Sequence, residues 1–155
     1  MICLDTNVII GAINGRTPAI RTRLAEQMSL GADIVIPVIA LYEMRYGCAK
    51  SDRKEQSERL IEVFLASGIR VLAFEPEDAD HAGDIRAFLE TKRTPIGPND
   101  VLIAAQARRR GAVLVTTNRR EFDRVPGLIV TSWWHEGTNT HTSDGCLRRI
   151  QMTGL

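Results

Sequence analysis

Aromatic residues are scarce in this chain, at 5% of 155 residues, so aliphatic side chains must carry the core. Cysteines are few and odd in number: Cys3, Cys48 and Cys146, with no Cys-x-x-Cys pair. That excludes a disulfide framework and points to a reduced, cytoplasmic protein. No apolar run approaches the roughly 18 residues of a spanning helix. Asp5 also stands where a secretion signal would need basic and then apolar residues, so no membrane association is expected. The formal net charge is only +1. No global field would hold a polyanion, and any nucleic-acid binding must come from local patches. A glycine-rich turn after the first apolar run is missing, since Thr6-Asn7-Val8 stands there, which argues against a dinucleotide-binding enzyme. A P-loop is absent as well.

What is present is an ordinary globular composition, 44% hydrophobic and 25% charged, on a chain long enough for one domain with a real core. Short apolar runs alternate with segments of helical spacing. Ile2–Leu4, Ile34–Ile36, Ile69–Phe74, Val113–Val115 and Leu128–Val130 read as strands. Between them, helices are expected from Val8 to Ile13, stopped near Asn14-Gly15, and over Pro18–Leu30 and Val38–Lys50. Further helices are expected from an Asp52 cap through Ala66, over Pro76–Lys92 and over Pro98–Arg110. Continuous apolar strands alternating with helices predict a parallel sheet covered on both faces. The stretch from Gly137 to Gly145 is polar and lacks periodicity, so residues 135–155 are expected to form a flexible tail beyond a domain of residues 1–134.

Four separate segments each set an acidic residue at the end of an apolar run: Asp5, Glu43, Asp100 and Glu121. Asp5 closes the first strand, at the sheet edge where open parallel sheets bind ligands, although it could equally be a simple helix cap. Asp100 lies in the first turn of its helix, where the macrodipole favours it by roughly 0.3–1 kcal/mol. The almost wholly apolar Val101–Ala105 that follows would place that turn at a sheet edge or cleft. Glu43 falls mid-helix within Val38–Met44 and needs a partner if buried; Arg45 and Arg108 are candidates. Glu121 follows a Thr-Thr-Asn turn. Gathered in one pocket, these acids are stable only if a cation fills it or some stay protonated. Mg²⁺ takes one or two protein carboxylates and keeps several waters. Asp5 and Asp100 are accordingly expected as direct ligands, with Glu43 and Glu121 working through water. A cation there would polarise a phosphoryl oxygen and lower the pKa of the attacking water.

Residues 108–124 hold six arginines against two acids, a local basic patch, while Glu75–Asp84 is acidic. Arg119 and Arg120 are candidates for phosphate contacts. For Arg108-Arg109-Arg110, RNA binding and a favourable helix-end dipole explain the run about equally. His81 is expected to be exposed among acids. Trp133-Trp134 reads as closing the core or a dimer contact. His135, His141 and Cys146 match no usual zinc spacing.

Taken in order, Leu4-Asp5-Thr6-Asn7-Val8, Glu43 with Tyr46-Gly47, Asp100 with Ile103-Ala104-Ala105, and Val115–Phe122 with Val125–Leu128 resemble the four motifs of the PIN-domain nucleases, in particular the VapC-like toxins of bacterial toxin–antitoxin pairs. The resemblance runs from Met1 to about Trp133. It implies a three-layer α/β/α sandwich around a central parallel sheet of about five strands. It also implies a Mg²⁺- or Mn²⁺-dependent endoribonuclease acting on structured RNA, often transfer RNA, with a cognate antitoxin and a homodimeric assembly. Asn118 stands where many PIN domains have Asp, and Glu121 is the acid that some toxin-like members use instead. Two other readings compete. One is a PIN-like fold that binds RNA or a partner with little catalysis, favoured by Asn118. The other is a phosphotransferase of the haloacid-dehalogenase type, disfavoured because Asn7 stands where a second Asp is needed.

Overall fold

The computed structural model describes residues 1–133. Their order is β1 (Ile2–Leu4), α1 (Thr6–Asn14), α2 (Pro18–Ser29), β2 (Ile34–Pro37), α3 (Val38–Ala49), α4 (Lys54–Ala66), β3 (Arg70–Leu72), α5 (Pro76–Thr91), α6 (Pro98–Arg109), β4 (Val113–Val115), α7 (Arg119–Phe122) and β5 (Ile129–Thr131). All strand pairs are parallel, in the order β3-β2-β1-β4-β5, with Ile2 in register with both Ile34 and Val113. The chain steps outward from β1 to β2 and β3, then crosses back to β4 on the other side of β1. Right-handed crossovers on a path that reverses direction place helices on opposite faces, which gives the three-layer α/β/α sandwich. The reversal also makes a switch point between β1 and β4, and a crevice opens beyond the strand ends there.

The central strands are apolar because they are covered on both sides: Cys3, Leu4, Val35, Ile36, Leu114 and Val115 are fully buried. Burial pushes the Cys3 thiol up to about 12, so it is an inert core residue. Helix α3 buries Ala40, Met44 and Cys48, one residue per turn, against this core. Helix α6 buries Val101 and every residue from Ile103 to Ala107, so it is a central helix, as its apolar sequence requires. Its one polar core residue, Gln106, donates from Nε2 to the carbonyls of Leu72 (3.0 Å) and Ala73 (2.9 Å), tying α6 to the end of β3.

Element boundaries follow the expected punctuation, with three differences. Asp52 does not cap α4; the helix begins at Lys54 after Arg53, whose amide is held by the Ser51 hydroxyl at 3.1 Å. The strand expected over Ile69–Phe74 is shorter, because only Arg70–Leu72 pair with β2. The segment after β4, expected as a turn, contains the one-turn helix α7, anchored by the fully buried Phe122. Trp133 packs partly buried against the core, as expected of a closing residue. Trp134, the 134/135 boundary, the tail and the residues His135, His141 and Cys146 lie outside the described residues. Among the described residues, no helix is long and apolar enough to cross a membrane.

Candidate active site

Asp5 is the centre of the crevice. It leaves β1 as the N-cap of α1, and its Oδ1 accepts from the Thr6 amide at 2.7 Å. The capping role weighed from the sequence is therefore real. Its other oxygen, Oδ2, accepts from the Thr116 hydroxyl at 2.7 Å, at the end of the adjacent strand β4. The Asp5 amide donates to the Val115 carbonyl at 3.0 Å. Asp5 is only 3% exposed. Burial raises its pKa; the hydrogen bonds from Thr116 and Thr6 oppose this, and the charge of Glu43 adds to it.

Glu43 reaches this site from the second turn of α3. Its Oε1 accepts from Asn99 Nδ2 at 2.9 Å, and its Oε2 accepts a short hydrogen bond from the Thr6 hydroxyl. Neither arginine considered from the sequence is its partner. Arg45 pairs with Glu62, and Arg108 pairs with Asp84 at 2.7 Å.

Asp100 follows Pro98 and Asn99 in the first turn of α6, with Gly97 as the N-cap. A Cβ on Gly97 would lie 3.0 Å from Asp100 Oδ2, so the missing side chain leaves room for the carboxyl. Asp100 is pushed up to about 7, first by burial and then by the charges of Asp5, Glu121 and Glu43. Glu121 comes from α7, close enough to Asp100 to add to that upward shift. The structure thus brings the other three acids expected from the sequence, Asp5, Glu43 and Glu121, into electrostatic range of Asp100. None is paired with Lys or Arg among the described residues. Asn118 enters through its backbone, its amide donating to Thr116 Oγ1 at 2.9 Å, so the hydroxyl that holds Asp5 is itself held.

Three positioning contacts were missed by sequence reasoning: Thr116 on Asp5, and Thr6 and Asn99 on Glu43. Their only sequence signal is a polar residue beside or just after each acid-bearing segment.

The donor set suits a hard dication. It is all oxygen, it is excessively negative, and that excess is already expressed in the raised proton affinities of Asp5 and Asp100. It is not a closed cage: among the described residues, no three Asp, Glu, His or Cys side chains stand ready as a ligand set.

The expected basic patch divides in two. Arg108, Arg109 and Arg110 face α5, where they pair with Asp84, with Glu75, Glu77 and Asp78, and with Asp78 and Glu75 respectively. Ion pairing with acids is thus a third role for this run, beside the two weighed from the sequence. His81 is half-buried rather than exposed, because its Nδ1 accepts from Arg108 Nε at 3.0 Å. Arg119 and Arg120 remain exposed on α7, beside Glu121.

An α/β/α domain with an acidic crevice at its switch point has the framework of a phosphodiester-cleaving enzyme. The chain belongs to the PIN domain family, whose description matches residues 2–128. It is similar to the tRNA(fMet)-specific endonuclease VapC of Salmonella typhimurium, with 41% identity over 130 residues that cover 84% of this chain and 96% of that protein. It is also similar to ribonuclease VapC2 of Rickettsia felis, at 38% identity over the same shares of the two chains. In structure it resembles VapBC2 from Rickettsia felis bound to a promoter DNA fragment, with a TM-score of 0.81 and 37% identity, covering 86% of this chain and 100% of that one.

Proposed function

We propose that this chain is a Mg²⁺-dependent endoribonuclease, the toxin of a toxin–antitoxin pair, with residues 1–134 as its working unit in the cytoplasm. The observation that carries the reading is the gathering of Asp5, Glu43, Asp100 and Glu121, from four distant segments, at one sheet edge without a basic partner. The names of the relatives support RNA as substrate and make tRNA(fMet) the first one to try. The VapBC assembly supports a cognate antitoxin as partner. A homodimer is the assembly the family resemblance implies.

In this reading Asp5 and Asp100 hold the cation, and Mn²⁺ can stand in for Mg²⁺. When bound, the ion polarises the scissile phosphate and makes water a better nucleophile near neutral pH. Glu43 and Glu121 hold and orient the attacking water and accept its proton. Thr6, Thr116 and Asn99 keep the acids in place. Arg119 and Arg120 contact the flanking phosphates. Asp100 must release its own proton before it can serve as a ligand, so cation uptake rises with pH through about 7.

The test is to incubate the purified, antitoxin-free chain with total transfer RNA and Mg²⁺, beside an Asp5→Ala sample and a chelator sample. Cleavage is expected only in the intact chain with metal. Binding without cleavage in every sample would favour a PIN-like binder. Equal cleavage in all three would overturn the role given to the acids.

A further inference from the structure

We infer that Asn99 is a positioning residue: its amide, together with the Thr6 hydroxyl, clamps the Glu43 carboxylate and so fixes α3 to the mouth of α6 in the geometry the cation site needs. The inference rests on the nuclease reading above.

Glu43 has a long, flexible side chain on α3, which starts directly at the carboxyl end of β2, and its carboxylate needs outside contacts to keep one orientation. It receives one donor on each oxygen, Asn99 Nδ2 at 2.9 Å on Oε1 and the Thr6 hydroxyl on Oε2. Each carboxylate oxygen keeps a further lone pair for water. Both donors are neutral. A lysine or arginine in their place would hold Glu43 as well, but would cancel the charge that a cation needs.

The choice of Asn at this position also requires an explanation. Asn99 is the second residue of α6 and lies beside Asp100, where the helix dipole would favour Asp or Glu over Asn. Either acid would repel Glu43 and remove the donor. The amide is what the Glu43 contact needs, whereas the helix start alone does not call for it. Thr6 completes the link, since its amide holds Asp5 while its hydroxyl holds Glu43. Residues 6 and 99 thus space three of the four acids by two neutral bridges.

The experiment is a double-mutant cycle read by Mn²⁺ calorimetry, with kcat and KM on transfer RNA measured beside it. Asn99→Ala should weaken Mn²⁺ binding about tenfold and lower kcat by a similar factor, leaving KM for RNA unchanged. In a Glu43→Ala background, Asn99→Ala should cost no further Mn²⁺ affinity, because nothing remains for it to hold. An equal loss in both backgrounds would overturn the inference and make Asn99 a part of the α6 start. No loss in the intact background would overturn it as well. If Asn99→Ala fails to fold, Asn99→Leu, close in shape and a better helix former, carries the same measurement. An intact chain that neither binds Mn²⁺ nor cleaves RNA would sink the nuclease reading itself, a failure distinct from that of the clamp.

Discussion

Two clusters of acids in this molecule are built on opposite principles. Along the seam between α5 and α6, Glu75, Glu77, Asp78 and Asp84 each meet an arginine from the end of α6. Asp78 is fully buried there, yet its pKa is lowered. Burial is the largest single influence and acts upward, but Arg110, the Glu75 amide and Arg109 together outweigh it. In the crevice at the switch point, Asp100 stands at about 7, raised first by burial and then by the charges of Asp5, Glu121 and Glu43. Its neighbours are other acids. Burial alone does not tell structural from functional carboxylates; what decides is whether the fold supplies the countercharge. The seam supplies its own. The crevice has none among the described residues, the pattern expected of a site that takes its countercharge from a ligand.

The same substitution should therefore have opposite effects in the two places. Asp78→Asn leaves Arg109 and Arg110, which are 21% and 15% exposed, facing a neutral group. Removing one partner of a buried ionic cluster typically costs about 3 kcal/mol or more, which for a chain of this size lowers Tm by roughly 6–12 °C. Chemical denaturation would measure it. A cost below about 1 kcal/mol would put the seam on a level with exposed ion pairs, and the contrast would fail.

Asp100→Asn should instead stabilise the metal-free protein, by about 1 kcal/mol once solvent screening is allowed for, while abolishing metal-dependent cleavage. The intact chain should show the same penalty as a pH dependence. A carboxyl whose pKa is raised in the folded state binds more protons folded than unfolded between about pH 4 and pH 7, so stability falls as pH rises through that window. Melting without metal at about pH 5 and about pH 8 should give the higher Tm at the lower pH. Added Mg²⁺ should raise the Tm at pH 8 and have little effect at pH 5, where Asp100 keeps its proton. A Tm that rises with pH without metal would contradict the crevice as described.

Most of this framework was legible locally. The strands are short apolar runs, Pro18, Pro76 and Pro98 open helices, and Gly15, at φ 65°, closes α1 as its sequence position suggests. The acids stood out because each interrupts or ends an apolar run. What was not legible depends on distance along the chain. Thr6 and Glu43 are 37 residues apart, and Asn99 and Glu43 are 56 apart. No local pattern distinguishes those polar residues from ordinary helix starters. The acidic and basic stretches were each visible in the sequence, but only the packing of α5 against α6 shows that they neutralise one another. Helix α7 escaped notice because four residues are too few for periodicity; the burial of Phe122 fixes it.

The smallest expected effect concerns the basic charge the seam leaves over. With Arg108, Arg109 and Arg110 engaged, Arg119 and Arg120 are the arginines beside Glu121 that stay exposed. Arg119 has only a 3.4 Å pair with Asp123 four residues on, a type of contact worth little in water. Replacing both by Ala should barely change stability, since neither anchors the core. If each contacts one phosphate, the double variant should bind RNA more weakly and flatten the slope of log affinity against log salt by roughly 1.5. Arg108→Ala should leave that slope alone and lower Tm instead, because its guanidinium is spent on Asp84 and His81. An unchanged slope in the α7 variant, or a flattened one in Arg108→Ala, would mean that the boundary between self-compensated and outward-facing charge has been drawn in the wrong place.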